Sequence, residues 1–266
     1  MSGETTGSRT NVVTPRAAPD EQVRAALADA DAVGGFFAIS TRAAEGADPS
    51  WRPLAELLAV PAAGPDPVGE RLAQVADGLG ADRRVAASLL GQSLASRSVS
   101  VLLAAAVAGV LPDLSPTNVL HARPWAGGPV PLWADPDRLT GTALGPPDDP
   151  ATAGALARAL AEDHLAPLVA ALRTRASVSA RVLWGNAAGA LGGAVRVLGE
   201  ARPDRHAAAL ALARGVLAQE PFAGLGEFVD DPAHPSGLGF ARTTCCLYYR
   251  VPGGGMCGDC VLRHRR

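Results

Sequence analysis

The chain has 266 residues, of which 48% are hydrophobic and 19% charged, and its formal net charge is −2. This length allows one large domain or two small ones, and the apolar content is sufficient for a packed core. The nearly balanced charge gives no basis for a nucleic-acid partner. The polar start of the chain and the short apolar runs, of which 101–111 is the longest, predict no signal peptide, no membrane span and a cytoplasmic location.

The first part of the chain is predicted to be mainly helical. Residues 1–20 are polar and rich in Ser, Thr, Pro and Gly, which is typical of a disordered tail. Asp20 is a candidate N-cap for a first helix over 21–31, and Asp82 is one for a long helix that Pro112 ends near residue 111. Hydrophobic spacing and turn residues predict the remaining elements: a strand at 35–40 and helices at 51–60 and 68–79, the latter stopped by Gly80.

A small β element and further helices follow. Residues 117–121 and 129–133 are predicted to pair as a hairpin, and Pro131 confines the second strand to an edge or a strand end. A loop is expected at 135–150, helices at 151–173, 179–198 and 204–219, and irregular structure from Pro221 onward. Pro167 should bend or split the first of these helices. The predicted fold class is mainly α with a small β element (α+β).

All four cysteines lie near the C-terminal end, in the pattern Cys245-Cys246-x10-Cys257-x2-Cys260. Four clustered thiols suit an iron–sulfur cluster or zinc, and the remainder of the chain gives no sign of the oxidising compartment in which disulfides persist. Zinc sites usually use two short knuckles, whereas only Cys257 and Cys260 form one here. The adjacent pair can both bind a single metal only if the chain bends sharply between them. The two metals of a two-iron cluster relax that demand, so a cluster is favoured and zinc remains the alternative. This irregular module is too small to own a core and should dock on the helical body.

Two glycine patterns have competing interpretations. Gly253, Gly254 and Gly255 could cradle a phosphate, but no Lys-Ser/Thr or opening helix follows them, so a turn that covers the thiols is favoured. Gly189, Gly192 and Gly193 imitate a dinucleotide fingerprint within a helical run. Because no strand precedes them, close packing against the helix is favoured.

The segment Thr-Cys-Cys-Leu-Tyr-Tyr-Arg-Val-Pro-Gly-Gly-Gly-Met-Cys-Gly-Asp-Cys-Val-Leu, residues 244–262, resembles the C-terminal signature of FhuF-type ferric-siderophore reductases. The resemblance implies a [2Fe–2S] cluster held by Cys245, Cys246, Cys257 and Cys260. It also implies a one-electron reduction of a ferric siderophore, of hydroxamate type, that releases Fe(II). A weaker likeness covers 164–173 and 178–186. The expected organisation is a disordered tail at 1–20, a siderophore-binding body at 21–235 and a cluster-binding module at 236–266.

Five further residues are candidates for tuning the cluster or contacting substrate. Arg250 and Arg263 would favour the more negative reduced cluster by their charge. Tyr248, beside the ligands, would shield them from water or border the substrate. Trp184 is either a core residue or a contact residue, and Asn186 needs hydrogen-bond partners if it is buried.

The chain has no credible dinucleotide or flavin fingerprint, so the electron should come from a protein partner. The basic tail of Arg263, Arg265 and Arg266 suits the acidic face of a ferredoxin- or flavodoxin-like donor. Two alternatives stay open: an iron–sulfur electron shuttle or sensor that binds no siderophore, and a zinc-stapled binding protein without redox activity.

Overall fold

The computed structural model describes residues 16–117, 119–231 and 237–263. Helices predominate: α1 (Asp20–Asp31), α2 (Leu54–Leu58), α3 (Pro67–Leu79), α4 (Arg83–Val107), α5 (Pro150–Arg158), α6 (Ala166–Arg175), α7 (Ala180–Ala201) and α8 (His206–Leu217). The strands are short: β1 (Arg52–Pro53), β2 (Val110–Pro112), β3 (Leu120–Ala122), β4 (Leu132–Ala134), β5 (Gly141–Ala143), β6 (Gly226–Asp230) and β7 (Leu238–Arg242). The predicted class, mainly α with a small β element, is confirmed.

Helix α4 is the centre of the core and packs against α1, α3 and α7. By length and composition it could cross a membrane, with a mean hydropathy of 1.3 in its best window, but 78% of that window is buried inside the protein. Arg97 in this helix is also buried. Its guanidinium donates to the carbonyl oxygens of Val130 at 2.8 Å and Phe36 at 2.6 Å.

Helix ends follow the predicted capping residues in two cases. The Asp82 carboxylate accepts a hydrogen bond from the Val85 amide at 2.8 Å, which satisfies a free N–H at the start of α4. Gly80 ends α3 in the left-handed region with φ of 56°, which a residue without Cβ adopts at little cost. Asp20 is not an N-cap, because α1 begins at Asp20 and no side chain caps it.

Several predicted boundaries are wrong. Residues 35–40 contain a 3₁₀ turn, Gly35–Phe37, in place of a strand. Its carbonyl groups turn toward Arg97, which no local pattern reveals. Helix α2 is shorter than 51–60, and the predicted loop at 135–150 contains β5, which pairs with β2. Residues 16–19 lie outside any disordered tail, since Ala17 bridges Thr142 in β5; residues 1–15 lie outside the described part of the chain.

The first β element matches the predicted hairpin. Strands β3 and β4 pair antiparallel, with His121 opposite Trp133. Strand β4 lies at the edge of the three-stranded sheet β1-β3-β4, directly after Pro131. Pro167 does not break the chain into separate helices: a π-helical segment, Ala159–Leu165, joins α5 to α6 before it. Such wide turns relieve a proline that cannot donate to the helical ladder.

A second hairpin, β6 with β7, was not predicted. The two strands pair antiparallel with Phe228 opposite Phe240, and their rings meet edge to face with centroids 5.2 Å apart. This hairpin packs on α7 and leads directly into the cysteines. The region after Pro221 is therefore less irregular than expected.

Candidate metal centre

Three glycines of α7 form the surface on which the cysteine segment docks. Gly185, Gly189 and Gly192 face Thr244, Arg242 and Phe240 respectively. Four helical residues rise about 6 Å and two strand residues about 6.6 Å, so alternate side chains of the extended chain match successive turns of the helix. A Cβ at Gly192 would lie 2.5 Å from Phe240 Cγ, so that approach requires glycine. Close packing is thus the role of Gly189 and Gly192, while a Cβ at Gly193 would meet nothing within 4 Å.

A buried polar network connects the helices to the cysteines. The Asn186 amide donates to the Ser88 carbonyl oxygen at 2.7 Å, and the Ser88 hydroxyl donates to the carbonyl oxygen of Cys246 at 2.7 Å. The Arg242 guanidinium donates to the Asn186 side-chain oxygen and to Gln92 Oε1 at 3.4 Å. Asn186 has an exposed fraction of 0% and Ser88 likewise, so these bonds satisfy groups that would otherwise be costly to bury.

The four thiols are free of disulfide bonds. The sulfur atoms of Cys246 and Cys257 lie 3.4 Å apart. Their hydrogen bond lowers the pKa of Cys246 to about 6 and raises the pKa of Cys257, because such a pair loses its first proton easily and its second with difficulty. Burial opposes the first shift, whereas the charge of Arg242 supports it.

The chain turns sharply directly after the adjacent cysteines, one position later than the bend between them that the spacing predicted. Leu247 has φ of 68°, the one positive φ among the described non-glycine residues, and its amide donates to the Cys245 sulfur at 3.4 Å. Cys245 lies against a small apolar cluster of Val85, Leu247 and Val251. Cys260 follows Cys257 by one turn, and its amide donates to the Cys257 carbonyl oxygen at 3.3 Å.

The four thiols are not arranged around a single point. Among the residues that the structure describes, no group of three or more His, Cys, Asp or Glu side chains stands close enough to hold one metal ion. One pair, Cys246 and Cys257, is in contact, and Cys245 and Cys260 lie on either side of it in the same short segment.

The remaining predicted residues take different positions. Arg250 is exposed and its guanidinium lies 5.9 Å from the Tyr249 ring centre, and Tyr248 is also exposed. Trp184 packs edge to face on Phe222 at 5.9 Å and joins the core. Arg263 is exposed and donates to the Met256 carbonyl oxygen at 3.1 Å. Residues 264–266, with Arg265 and Arg266, lie outside the described part of the chain.

A cleft of about 950 Å³ opens beside the cysteines. Its walls come from α4, α7, the β6–β7 hairpin and the segment that contains Cys257 and Asp259. Burial raises the pKa of Asp259, and the nearby charge of Arg242 opposes that rise. Neither this cleft nor the burial of Arg242 was predictable from local sequence, because both depend on how the second hairpin crosses α7.

Comparison with protein families gives two matches. Residues 242–262 match the family model described as FhuF 2Fe-2S C-terminal domain. Residues 88–227 match the model described as Ferric iron reductase FhuF-like transporter, and this stretch runs from Ser88 of the buried network to the start of the second hairpin. No curated protein matches the chain.

Proposed function

Because the chain belongs to the family of FhuF-like ferric iron reductases, we propose that it releases iron from ferric siderophores by one-electron reduction. The domain match at its C-terminal end indicates a [2Fe–2S] cluster as the cofactor. The observation that carries the proposal is the position of the thiols. They stand in a segment docked on the helical body, with Cys257 in the wall of a cleft large enough for a small ligand.

We assign the four ligand positions to Cys245, Cys246, Cys257 and Cys260. The donor set fits a two-iron cluster, since all four thiols are free of disulfide bonds and the sulfur atoms of Cys246 and Cys257, from the two halves of the segment, lie 3.4 Å apart. The Leu247 amide, which donates to the Cys245 sulfur, is the kind of contact that stabilises a thiolate ligand. When bound, such a cluster accepts and donates single electrons.

The substrate follows from the chemistry of iron chelates. Hard oxygen chelators bind Fe(III) more tightly than Fe(II), so one electron delivered to the complex weakens it and lets Fe(II) leave. The charged residues of the cleft wall are mixed, with Arg196 and Arg263 against Asp230, Asp231 and Asp259. Such a wall suits a neutral or weakly charged hydroxamate complex, and its described residues offer no cationic cluster for a trianionic catecholate.

Partners and location complete the proposal. We expect a ferredoxin- or flavodoxin-like protein to supply the electron in the cytoplasm, since Arg263 is an exposed cation beside the thiol segment. The alternatives make different predictions. A zinc-stapled protein would be colourless, and a shuttle or sensor would carry the cluster but leave ferric siderophores unreduced.

The test starts from protein purified without oxygen after growth with ample iron. We expect a reddish-brown protein with about two irons and two acid-labile sulfides per chain, and Fe(II) release from a ferric trihydroxamate by the pre-reduced protein. Fe(II) is measured as a coloured ferrous chelate. Stoichiometric zinc would contradict the cofactor assignment. A reduced cluster that releases no Fe(II) would instead contradict the reductase activity.

Single Ser substitutions at Cys245, Cys246, Cys257 and Cys260 should each lose or destabilise the cluster while the helical body survives. The reason is that none of the four cysteines belongs to the main apolar core around α4; Cys245 packs instead on the small cluster of Val85, Leu247 and Val251. Iron content and the helical circular dichroism signal measure the two effects separately. Global unfolding of a single variant would contradict the independence of the body.

A further inference from the structure

The cleft beside Cys257 has the size and composition of a ligand site. Its volume of about 950 Å³ lies at the upper end of the range for small-molecule sites. Gln92, Ser96 and Ser100 line it from α4, and their spacing of four residues places them on one face of the helix. A smaller cavity of about 520 Å³ between α2 and α6 has no cysteine in its described wall.

We propose that this cleft is the binding site for the ferric siderophore, an inference that rests on the proposed function. A chelate held there would touch the thiol segment directly at Cys257, so an electron would not have to cross the helical core. The polar row of α4 offers hydroxyl and amide groups to chelate and amide oxygens. Phe36, which is 38% exposed, and Phe228 offer apolar surface to the siderophore backbone.

Gly193 provides a clean way to block the cleft. It lies in the cleft wall on α7, and a Cβ there would meet no heavy atom within 4 Å. A side chain therefore enters open space and also removes the helix penalty of glycine, so Gly193→Trp should fold. Gly154 on α5 is the matched control, because it is a half-buried helical glycine with an equally open Cβ direction and lies outside the cleft.

The probe is the gallium(III) complex of desferrioxamine B, a trihydroxamate complex that cannot be reduced under these conditions, so binding is measured without turnover. We expect calorimetric titration of the cluster-loaded protein to show binding to wild type and Gly154→Trp. Gly193→Trp should bind at least about tenfold more weakly, because the introduced indole occupies space that the ligand needs. Its cluster spectrum should be unchanged.

Two outcomes separate the failure of the site from the failure of the function. If Gly193→Trp binds the gallium complex and reduces the ferric complex as well as wild type, the cleft is not the site and the reductase proposal stands. If wild type neither binds the gallium complex nor releases Fe(II) from the ferric one, both the function and the site are contradicted.

An independent observation concerns the charge of Arg242. Its side chain is 3% exposed, yet it forms no ion pair with any described residue. Its partners are the neutral amides of Asn186 and Gln92, and its Nε has no hydrogen-bond partner within the described structure. A buried cation with only neutral partners is costly unless a nearby anion compensates it.

The surroundings offer two sources of that negative charge, the nearby Asp259 side chain and the thiol segment itself. Arg242 shares a hydrogen-bonded network with the Cys246 backbone through Asn186 and Ser88, and its own amide donates to the Asp259 carbonyl oxygen at 3.3 Å. It is thus fixed between the two halves of the thiol segment. A two-iron cluster with four thiolates carries a formal charge of about −2, and of about −3 after it accepts an electron.

We infer that Arg242 is the internal counter-cation of the cluster and favours its reduced form. It acts through charge and does not touch substrate. Replacement by Gln keeps an amide donor for Asn186 but removes the charge, and replacement by Lys keeps the charge. Arg123 is the control, because its exposed guanidinium pairs with Asp48 and is screened by water and salt.

The readout is the midpoint potential of the cluster, measured by redox titration with optical or magnetic detection. We expect Arg242→Gln to make reduction about tenfold less favourable, which is about 59 mV lower for one electron, while Arg242→Lys stays near wild type. Arg123→Gln should change the potential by much less. An unchanged potential in Arg242→Gln, or an equal loss in Arg242→Lys, overturns the inference.

Iron and sulfide contents keep the test decisive if Arg242→Gln fails to retain its cluster. Retention by Arg242→Lys would then show that the positive charge is what the bound anion needs. Loss of the cluster in both variants would show that the guanidinium acts by shape alone, and would overturn the inference.

Discussion

At the scale of single residues, His164 shows how burial without compensation makes stability depend on pH. It lies in the π-helical segment with 4% exposure, and its Nδ1 has no hydrogen-bond partner among the described residues. Burial lowers its pKa from 6.5 to about 4. The folded protein thus keeps this imidazole neutral under conditions in which the unfolded chain protonates it.

The predicted consequence is acid lability between pH 6.5 and about 4. As the pH falls, the unfolded state binds the proton before the folded state does. The free energy of unfolding is therefore unaffected by His164 above pH 6.5 and falls by about 1.4 kcal/mol per pH unit below it. His164→Gln should remove this slope. Denaturant midpoints followed by circular dichroism measure it, with His121→Gln as the control; an unchanged slope in His164→Gln would contradict the assignment.

Residue-level prediction from the sequence worked where chemistry and spacing coincide. The cysteine pattern placed four thiols in one short segment, and the structure brings Cys246 and Cys257 into contact. The bend predicted between Cys245 and Cys246 lies one position later, at Leu247. Asn186 was expected to need partners if buried, and it has them. Arg242 escaped notice because nothing local distinguishes a buried arginine from a solvated one. Its burial depends on the glycines of α7, more than fifty positions away in the sequence.

At the scale of elements, substitution of two neighbouring glycines of α7, Gly192 and Gly193, should have opposite effects. Gly192→Ala should destabilise the docking of β7, because its Cβ would lie 2.5 Å from Phe240 Cγ. Gly193→Ala meets no atom within 4 Å and should stabilise the helix by about 0.5–1 kcal/mol. Limited proteolysis of the C-terminal segment and thermal unfolding measure the two effects. Equal behaviour of the two variants would exclude a docking role for the glycine surface.

Element boundaries were predictable where local chemistry decides them. Asp82 and Gly80 mark real helix ends because a cap and a left-handed glycine act on their own segments. The turn at Gly35–Phe37 and the β6–β7 hairpin were not predictable, since Arg97 and α7 respectively hold them from a distance. Domain limits at 21–235 and 236–266 stay predictions, although β7 joins the two parts in one hairpin.

At the scale of the whole molecule, the prediction concerns which donor delivers the electron to the cluster. We expect NADPH alone to leave the cluster oxidised and an acidic ferredoxin- or flavodoxin-like donor to reduce it, at a rate that falls with salt. Arg263→Gln should lower that rate, whereas Arg123→Gln, an exposed arginine paired with Asp48, should not. Stopped-flow absorbance measures the rate. Rapid reduction by NADPH without another protein would contradict the donor hypothesis.

The cleft is assembled from two parts of the chain, with α4 and α7 on one side and Cys257, Asp259 and Arg263 on the other. Whatever occupies the cleft therefore holds the two parts together. Thermodynamic linkage then requires that a ligand tighten the docking of the thiol segment by the same factor by which docking raises the affinity for the ligand. Changes that loosen the docking of the thiol segment should consequently lower the affinity of the cleft for its ligand.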